Sequence, residues 1–458
     1  MTSNRSNIWK YIIVFIVPLI FLVIPKTEIY TREMAIAIAA TFCFLAWAAV
    51  ELTNILIPSL LWPAVLILTG TVTYADVYGC FVDSAIVAVA ATFILAATLD
   101  RVGLLRRMAF SVAKIFGGSY VGTVYGLFAA TFIVAIATFA SGECIFAAIT
   151  YGAVMAFGLA KTRAGSVLMM SGMLGGVTMR MIIYYPIFCK TMQKSVSSVD
   201  PNFTISQMDL LIYNWPVIIF CLAFIYLLIK IFVKPEDVAH LNSKEYYISE
   251  LEKMGKMTTA EKLGVVVLLG IMAMIMTSSI HGLDYMYAFV IGAAIMFIFG
   301  YGSNEDIGGA KPDMIFFLAS CMAIGSVCSA VGITSAISEF ATPILQGLGE
   351  VATLVITLVF GFILNLCMTP MAMLGGFTGM LYDLFLNVGL NPMAGVMAFY
   401  QSTDLVILPY EFLSFLYFFA YGIMSMKDFF VMHLMKSVLW LVFFAVVFIP
   451  YWMFAGLI

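Results

Sequence analysis

The stretch Ile136-Ala137-Thr138-Phe139-Ala140-Ser141-Gly142-Glu143-Cys144-Ile145-Phe146-Ala147-Ala148 sits inside an apolar run from about Val121 to Ala160, whose only carboxylate side chain is Glu143. Some forty residues of helix would measure ~60 Å, twice the ~30 Å hydrocarbon thickness of a bilayer. A run of that length, broken at its midpoint by small polar residues and bracketed by basic segments, reads as a re-entrant helical hairpin. Its tip, Ser141-Gly142-Glu143, is expected near mid-membrane. Non-helical backbone survives at that depth only when it is buried in protein or lines a wet cavity, which is where a transporter holds its substrate.

Composition agrees with that setting. The 458 residues are 63% hydrophobic and 10% charged, whereas soluble domains are about 45–50% apolar and about 25% charged. The class is therefore an all-α polytopic membrane protein. A net charge of −3 suggests no basic surface for nucleic acid. The eight cysteines are scattered without a CxxC pair, and the three histidines (His240, His281, His433) are far apart in sequence. Neither a disulfide framework nor a metal cluster is implied. The chain has no HExxH, no GxGD pair and no GxxxxGK[ST] loop, so it is not expected to be an enzyme or to hydrolyse ATP.

Outward from the hairpin, apolar periods place spans at roughly 11–25, 34–50, 54–71 and 83–99. Arg5 and Lys10 put the N-terminus in the cytoplasm by the positive-inside rule. Residues 100–117, with Arg101, Arg106, Arg107 and Lys114 among apolar residues, suit an amphipathic helix on the membrane surface. After the hairpin a fifth span meets Gly175-Gly176, Arg180 and Pro186. An external loop is expected over 190–209, a sixth span over 211–233 and a cytoplasmic linker over 234–262. The second half repeats the plan with spans at about 263–279, 285–300 and 314–331, and an amphipathic segment at 332–346. A second hairpin follows over Val351–Phe385, broken at Asn365-Leu366-Cys367-Met368-Thr369-Pro370. A span over 393–423 is interrupted near Pro409, and a last span covers 429–456. Eleven crossings leave the C-terminus external, in a cell (inner or plasma) membrane.

The segment Gly158-Leu159-Ala160-Lys161-Thr162-Arg163-Ala164-Gly165 resembles Gly389-Leu390-Asn391-Pro392-Met393-Ala394-Gly395 in position and flavour. Each follows a hairpin and opens a broken span, with inverted parity. Inverted repeats with broken helices in matching places point to a midplane site at the repeat interface. The expected divisions are 1–117 (scaffold and amphipathic arm), 118–210 (first hairpin and broken span) and 211–346 (scaffold helices of both halves with the linker). The second hairpin and broken span then occupy 347–423, and 424–458 forms the last scaffold helix.

Candidate substrate-binding or coupling residues gather at the breaks: Ser141, Gly142, Glu143, Thr178, Arg180, Thr369, Pro370, Ser402, Thr403, Asp404, Pro409 and Glu411. Glu143 opens the return arm of the first hairpin, where a helix end stabilises an anion by ~0.3–2 kcal/mol. An ionised side chain at mid-membrane costs about 2.5–3.5 kcal/mol on insertion scales, so Glu143 needs a proton, a cation or a basic partner. Arg180 either grips a substrate carboxylate bidentately or pairs with Glu143 or Glu411. Aligning the repeats through Gly158 and Gly389 sets it opposite Glu411. Asp404 and Glu411 flank Leu408-Pro409, where either could take a proton or, with unwound carbonyls, a cation. For the uncharged hydroxyls, hydrogen bonding to their own helix is the default.

On these residues the chain resembles the divalent-anion:sodium symporter family of the ion transporter superfamily. The echo is clearest in Leu408-Pro409-Tyr410-Glu411-Phe412-Leu413-Ser414, followed by Tyr421-Gly422 and Met426-Lys427-Asp428, and in Gly175-Gly176 before the first break. The resemblance implies a homodimeric elevator in which hairpins and broken helices slide against a scaffold, carrying di- or tricarboxylates or sulfate. Family tips carry Ser-Asn-Thr in both halves, supplying sodium and carboxylate ligands. Here they read Ser141-Gly142-Glu143 and Met368-Thr369-Pro370, and the first double proline is replaced by Tyr184-Tyr185-Pro186. The expected activity is secondary active transport of small organic anions, coupled to protons or sodium or run as exchange, with no other cofactor. The alternative is a cation/proton antiporter of the same superfamily.

Overall fold

A computed structural model of the chain describes all residues except 1–7, 51, 83, 117, 138–139, 141–142, 198, 242–243, 284–286, 309–311, 334–335, 337–348, 367–368 and 388. The expected amphipathic segment at 332–346 therefore lies almost wholly outside the described residues, as do Ser141 and Gly142 of the first tip.

Within the described residues the structure is helical throughout. The first half runs α1 (Ile8–Val23), α2 (Arg32–Ala49), α3 (Leu56–Leu68), α4 (Ser84–Arg101) and α5 (Leu104–Ile115). It continues through α6 (Tyr120–Ala137), α7 (Glu143–Ala156), α8 (Arg163–Gly176), α9 (Pro186–Val196), α10 (Gln207–Asn214) and α11 (Pro216–Phe232). The second half holds α12 (Lys244–Lys253), α13 (Thr259–Met276), α14 (Tyr287–Ile298), α15 (Pro312–Ala330) and α16 (Glu350–Asn365). It ends with α17 (Pro370–Asn387), α18 (Pro392–Ser402), α19 (Leu413–Ala420) and α20 (Met426–Phe454).

Among the described residues α20 alone is both long and apolar enough to cross a bilayer unaided, and three spans result if each of two bent helix pairs counts as one. One such pair is α10 with α11, bent by 51°. Most other expected spans are carried by helices of 12–18 residues, ~18–27 Å at 1.5 Å per residue. The expected external loop at 190–209 is corrected at its start: Pro186 sits at the first position of α9, which stays helical to Val196. Proline suits that position because its missing N–H would have no helical partner there.

The two expected hairpins close in the same way. Gly158 and Gly389 both take left-handed φ (66° and 75°). The next amide, Leu159 or Leu390, reaches back five residues to Val154 O or Phe385 O, the Schellman close of a helix. A side-chain N-cap then starts each broken span: Thr162 Oγ1 accepts from Gly165 N, and Asn391 Oδ1 from Met393 N. Each broken span packs on both arms of its own hairpin, α8 on α6 and α7, and α18 on α16 and α17. The continuations cross over: α9 lies on α17 of the other half, and α19 on α7. Gly175 permits the close approach of α8 to α6, since a Cβ there would overlap the Phe128 carbonyl oxygen.

The remaining helices form a second set in which α4 packs on α14 and α15, α3 on α2 and α15, and α13 on α14. The amphipathic α5 turns Leu104, Leu105, Ala109, Phe110 and Ala113 inward and leaves Lys114 exposed. The linker docks on it: Arg107 pairs with Glu261 at 2.7 Å and Arg106 with Glu250 at 3.0 Å. The last helix, by contrast, is fastened to α10 and the breaks. Trp452 Nε1 donates to Tyr213 O, and Lys436 pairs with Asp404.

Between α14 and α15, Asp306 receives Arg101 Nε at 2.9 Å and Nη2 at 2.8 Å, with Thr98 Oγ1 at 3.0 Å. The Arg101 guanidinium holds its carboxyl below the ordinary range, against the opposing effect of burial. A depressed carboxylate stabilises the fold fully above its unfolded pKa of about 3.9 and loses that contribution as pH falls through the lower folded value. Asp306→Asn should therefore destabilise the protein by about 1–3 kcal/mol at neutral pH, and the gap should narrow below pH ~4. Thermal melts of the detergent-solubilised pair between neutral and acid pH test this; a gap independent of pH contradicts it.

Candidate functional site

Two breaks in helix build the centre. In the first half α8 stops after Gly175-Gly176, tightens into a 3-10 turn over Thr178–Met181, and runs extended through Tyr185 to Pro186. The residue before a proline is biased away from helical conformation, and Tyr185 has φ −90°, ψ 103°. In the second half α18 ends at Ser402, Pro409 opens a 3-10 turn over Pro409–Glu411, and Phe412 is extended.

Carbonyls freed by such breaks must find donors in a membrane interior. The Val177 carbonyl accepts from Arg180 Nη1, Met181 from Asn214 Nδ2, and Ile182 from Gln207 Nε2. On the other side Asn365 Nδ2 donates to Ser402 O at 2.7 Å and Leu405 O at 3.4 Å, and Tyr410 OH to Leu366 O. Gln401 Nε2 donates to Asn214 Oδ1 and so links the halves. Asn365 Oδ1 and Gln401 Oε1 are buried without a partner among the described residues.

At the crossing, Arg180 Nη1 meets Asp404 Oδ1 at 2.9 Å and Nη2 donates to Thr403 Oγ1 at 2.8 Å. Its guanidinium carbon lies 4.5 Å from the Phe412 ring centroid and 5.7 Å from that of Phe188, within cation–π range. Asp404 Oδ2 accepts from Thr178 Oγ1 and from Lys436 Nζ, both at 2.9 Å. Arg180 is 2% exposed; Asp404 and Lys436 are fully buried. A buried carboxylate flanked by two cations is paired as interior charges require, and the triad carries one net positive charge. Among the described residues Arg180 Nε has no partner.

The structure thus corrects the expected partner of Arg180, which is Asp404 rather than Glu411 or Glu143. Glu411 turns back on its own break and accepts from the amides of Ile407 and Leu408, the latter at 2.8 Å. It closes the turn that Pro409 opens. Glu143, the first residue of α7, is 7% exposed. It accepts from Tyr185 OH at 3.1 Å, in the first break, and from Ser414 Oγ at 3.3 Å, in α19. Among the described residues no basic side chain lies within 4.0 Å of Glu143 or Glu411.

Of the sequence candidates, Thr178, Arg180, Thr403 and Asp404 meet at this centre, while Glu143 is held by Tyr185 and Ser414. Ser402 donates to Phe399 O in its own helix, and its carbonyl serves Asn365. Thr369, half-buried, leads into α17, which Pro370 opens. Sequence reasoning missed Lys436, Tyr185 and Ser414. Lys436 had a signal, for it is the only Lys or Arg between residues 428 and 458, and an ionisable side chain inside a span marks a site by default. The described residues contain no cluster of three His, Cys, Asp or Glu side chains that could hold a metal ion.

Comparison with known proteins adds the family. The Alcanivorax borkumensis YdaH transporter is similar in structure at 14% identity, with a TM-score of 0.41 over 84% of this chain and 88% of that one; no positions are carried over from it. No curated protein sequence matches this chain. The family model for the sodium:sulfate symporter transmembrane region matches residues 5–458. With nearly its whole length matched, this chain belongs to the sodium:sulfate symporter family and is a membrane transport protein, not an enzyme.

Proposed function

We propose that the protein is a secondary active transporter of small organic anions, with di- or tricarboxylates as the substrate class, working by an elevator motion. The observation that carries this reading is the buried Arg180, which joins the two breaks through Asp404 and keeps one N–H without a partner. A substrate carboxylate arriving at the crossing can take Arg180 in the planar, two-pronged geometry a guanidinium favours. Asp404 then stays neutralised by Lys436 and Thr178. Arg180, Asp404 and Lys436 are buried, so a movement of the body that carries them is what would expose the site to either face.

The proposed moving body comprises both hairpins (α6–α7, α16–α17) and both broken spans. The hydrogen bonds of α20 to the breaks and to α10 support adding α10, α11 and α20 to it, rather than leaving α20 with the scaffold. The scaffold would be α2–α4 and α13–α15, with a homodimer as the assembly and the N-terminus cytoplasmic. The test is uptake of labelled succinate, malate, citrate and sulfate into proteoliposomes, with sodium and pH gradients imposed separately. Carboxylate uptake driven by either gradient supports the reading. Cation-driven pH change without any anion would favour the antiporter instead.

Glu143 is the proposed proton-sensitive group. Glu143→Gln keeps an acceptor oxygen for Tyr185 and Ser414 but removes the charge. Uptake should fall roughly 10-fold, as losing a charged hydrogen-bond acceptor allows, and its pH profile should flatten. An unchanged profile of uptake against pH would remove Glu143 from the coupling step.

A further inference from the structure

Lys436 stands in the middle of α20 with its whole side chain buried. The ammonium donates to Asp404 Oδ2 at 2.9 Å and lies 4.6 Å from the Phe415 ring centroid. The other titratable or charged groups that sense it are Arg180 from the first break, Glu411 from the second, Cys221 from α11 and His433, one turn earlier on α20. His433 is itself packed at 4.0 Å on Phe429.

In transporters built from broken helices, the unwound carbonyls and half-helix ends are where a coupling cation is coordinated. Of the two carboxylates at the second break, Glu411 is spent on the amides of Ile407 and Leu408, and both oxygens of Asp404 are already taken. Oδ1 holds Arg180, and Oδ2 holds Thr178 and Lys436. A further cation there would face two fixed positive charges at close range in a low-dielectric interior, where repulsion is strong. Sodium does not fit this centre as built.

We infer that the Lys436 ammonium is a tethered cation standing where a coupling metal ion would sit, so that the second break is neutralised without sodium. The inference deepens the transporter reading and rests on it only for its transport readout. An ammonium offers three donors on a flexible stem. It can follow Asp404 when a substrate draws Arg180 away, as a bound ion would.

The test compares wild type with Lys436→Met and Lys436→Arg, each purified and reconstituted in sodium chloride and in choline chloride. The first readout is the ratio of anion uptake in the two salts; the second is the ratio of thermal midpoints in detergent. Lys436→Met should lose uptake in choline by roughly 10-fold, as removal of a charge-assisted hydrogen bond allows, and sodium should restore part of both uptake and stability. Lys436→Arg should keep the wild-type salt ratios. A Lys436→Met variant whose uptake and stability are the same in both salts, whether intact or equally impaired, overturns the inference. Absence of anion uptake in wild type, with the salt-specific rescue of stability preserved, would remove the transport reading and leave this one standing.

Discussion

Replacing Asp404 by alanine is expected to lower stability by about 3–5 kcal/mol, the penalty for breaking a buried ion pair from one side, and to abolish uptake. The size follows from what is left behind. Arg180 and Lys436 both point at Asp404 from 2.9 Å, and both are buried. Without the carboxylate, two positive charges face each other where no water reaches. Thr178 also loses its acceptor. Asp404→Asn keeps the shape and one acceptor oxygen but not the charge, and should lie between alanine and wild type. Removing Lys436 as well should recover part of the loss, since only one uncompensated cation then remains; neighbouring sites in one network are not additive. Thermal midpoints at one scan rate and uptake per folded protein measure this series. An Asp404→Ala protein that melts and transports like wild type would refute the charge accounting of the centre.

Much of the architecture was legible because its signals are local. A polar residue followed at short distance by proline marks where the second long apolar run breaks: Asn365 ends α16 and Pro370 begins α17. The Gly158 and Gly389 match was weak letter by letter. It nonetheless marked two identical helix closes, because only a left-handed residue allows the following amide to reach back five residues.

The pairings across the site were not legible, for a physical reason. Equivalent residues of an inverted repeat meet only if they lie on the symmetry axis, and neither Arg180 nor Glu411 is held there by sequence register. Glu411 has a nearer option in the free amides of Ile407 and Leu408, four and three residues back, and a local cap needs no long-range ordering. Asp404, two residues past the end of α18, has no such turn to close and is left for Arg180. Ser414 likewise joins Tyr185 at Glu143 only because α19 crosses to the first half's hairpin. That crossing is a fact of packing, which no spacing in the chain encodes. Lys436 is a different case: its position alone in an apolar span was visible, and only its partner had to come from the structure.

Arg180→Lys separates substrate binding from scaffolding. The variant keeps a positive charge beside Asp404, so the charge of the centre is unchanged and the stability loss should be smaller than for Asp404→Ala. What lysine cannot do is hold Val177 O, Asp404 and Thr403 together in one plane while lying 4.5 Å over Phe412. It also cannot present a second prong to an incoming carboxylate. If that prong receives the substrate, uptake should drop by about 10–100-fold, the equivalent of ~1.5–3 kcal/mol for a charged hydrogen bond. The loss should fall on the substrate concentration needed for half-maximal uptake, for dicarboxylate and sulfate alike, since the guanidinium fork meets two oxygens of either anion. Kinetics of both anions on the folded variant decide it. A lower maximal rate with unchanged half-saturation would make Arg180 a strut between the breaks, and the substrate would have to be held by Glu143's neighbours Tyr185 and Ser414 instead.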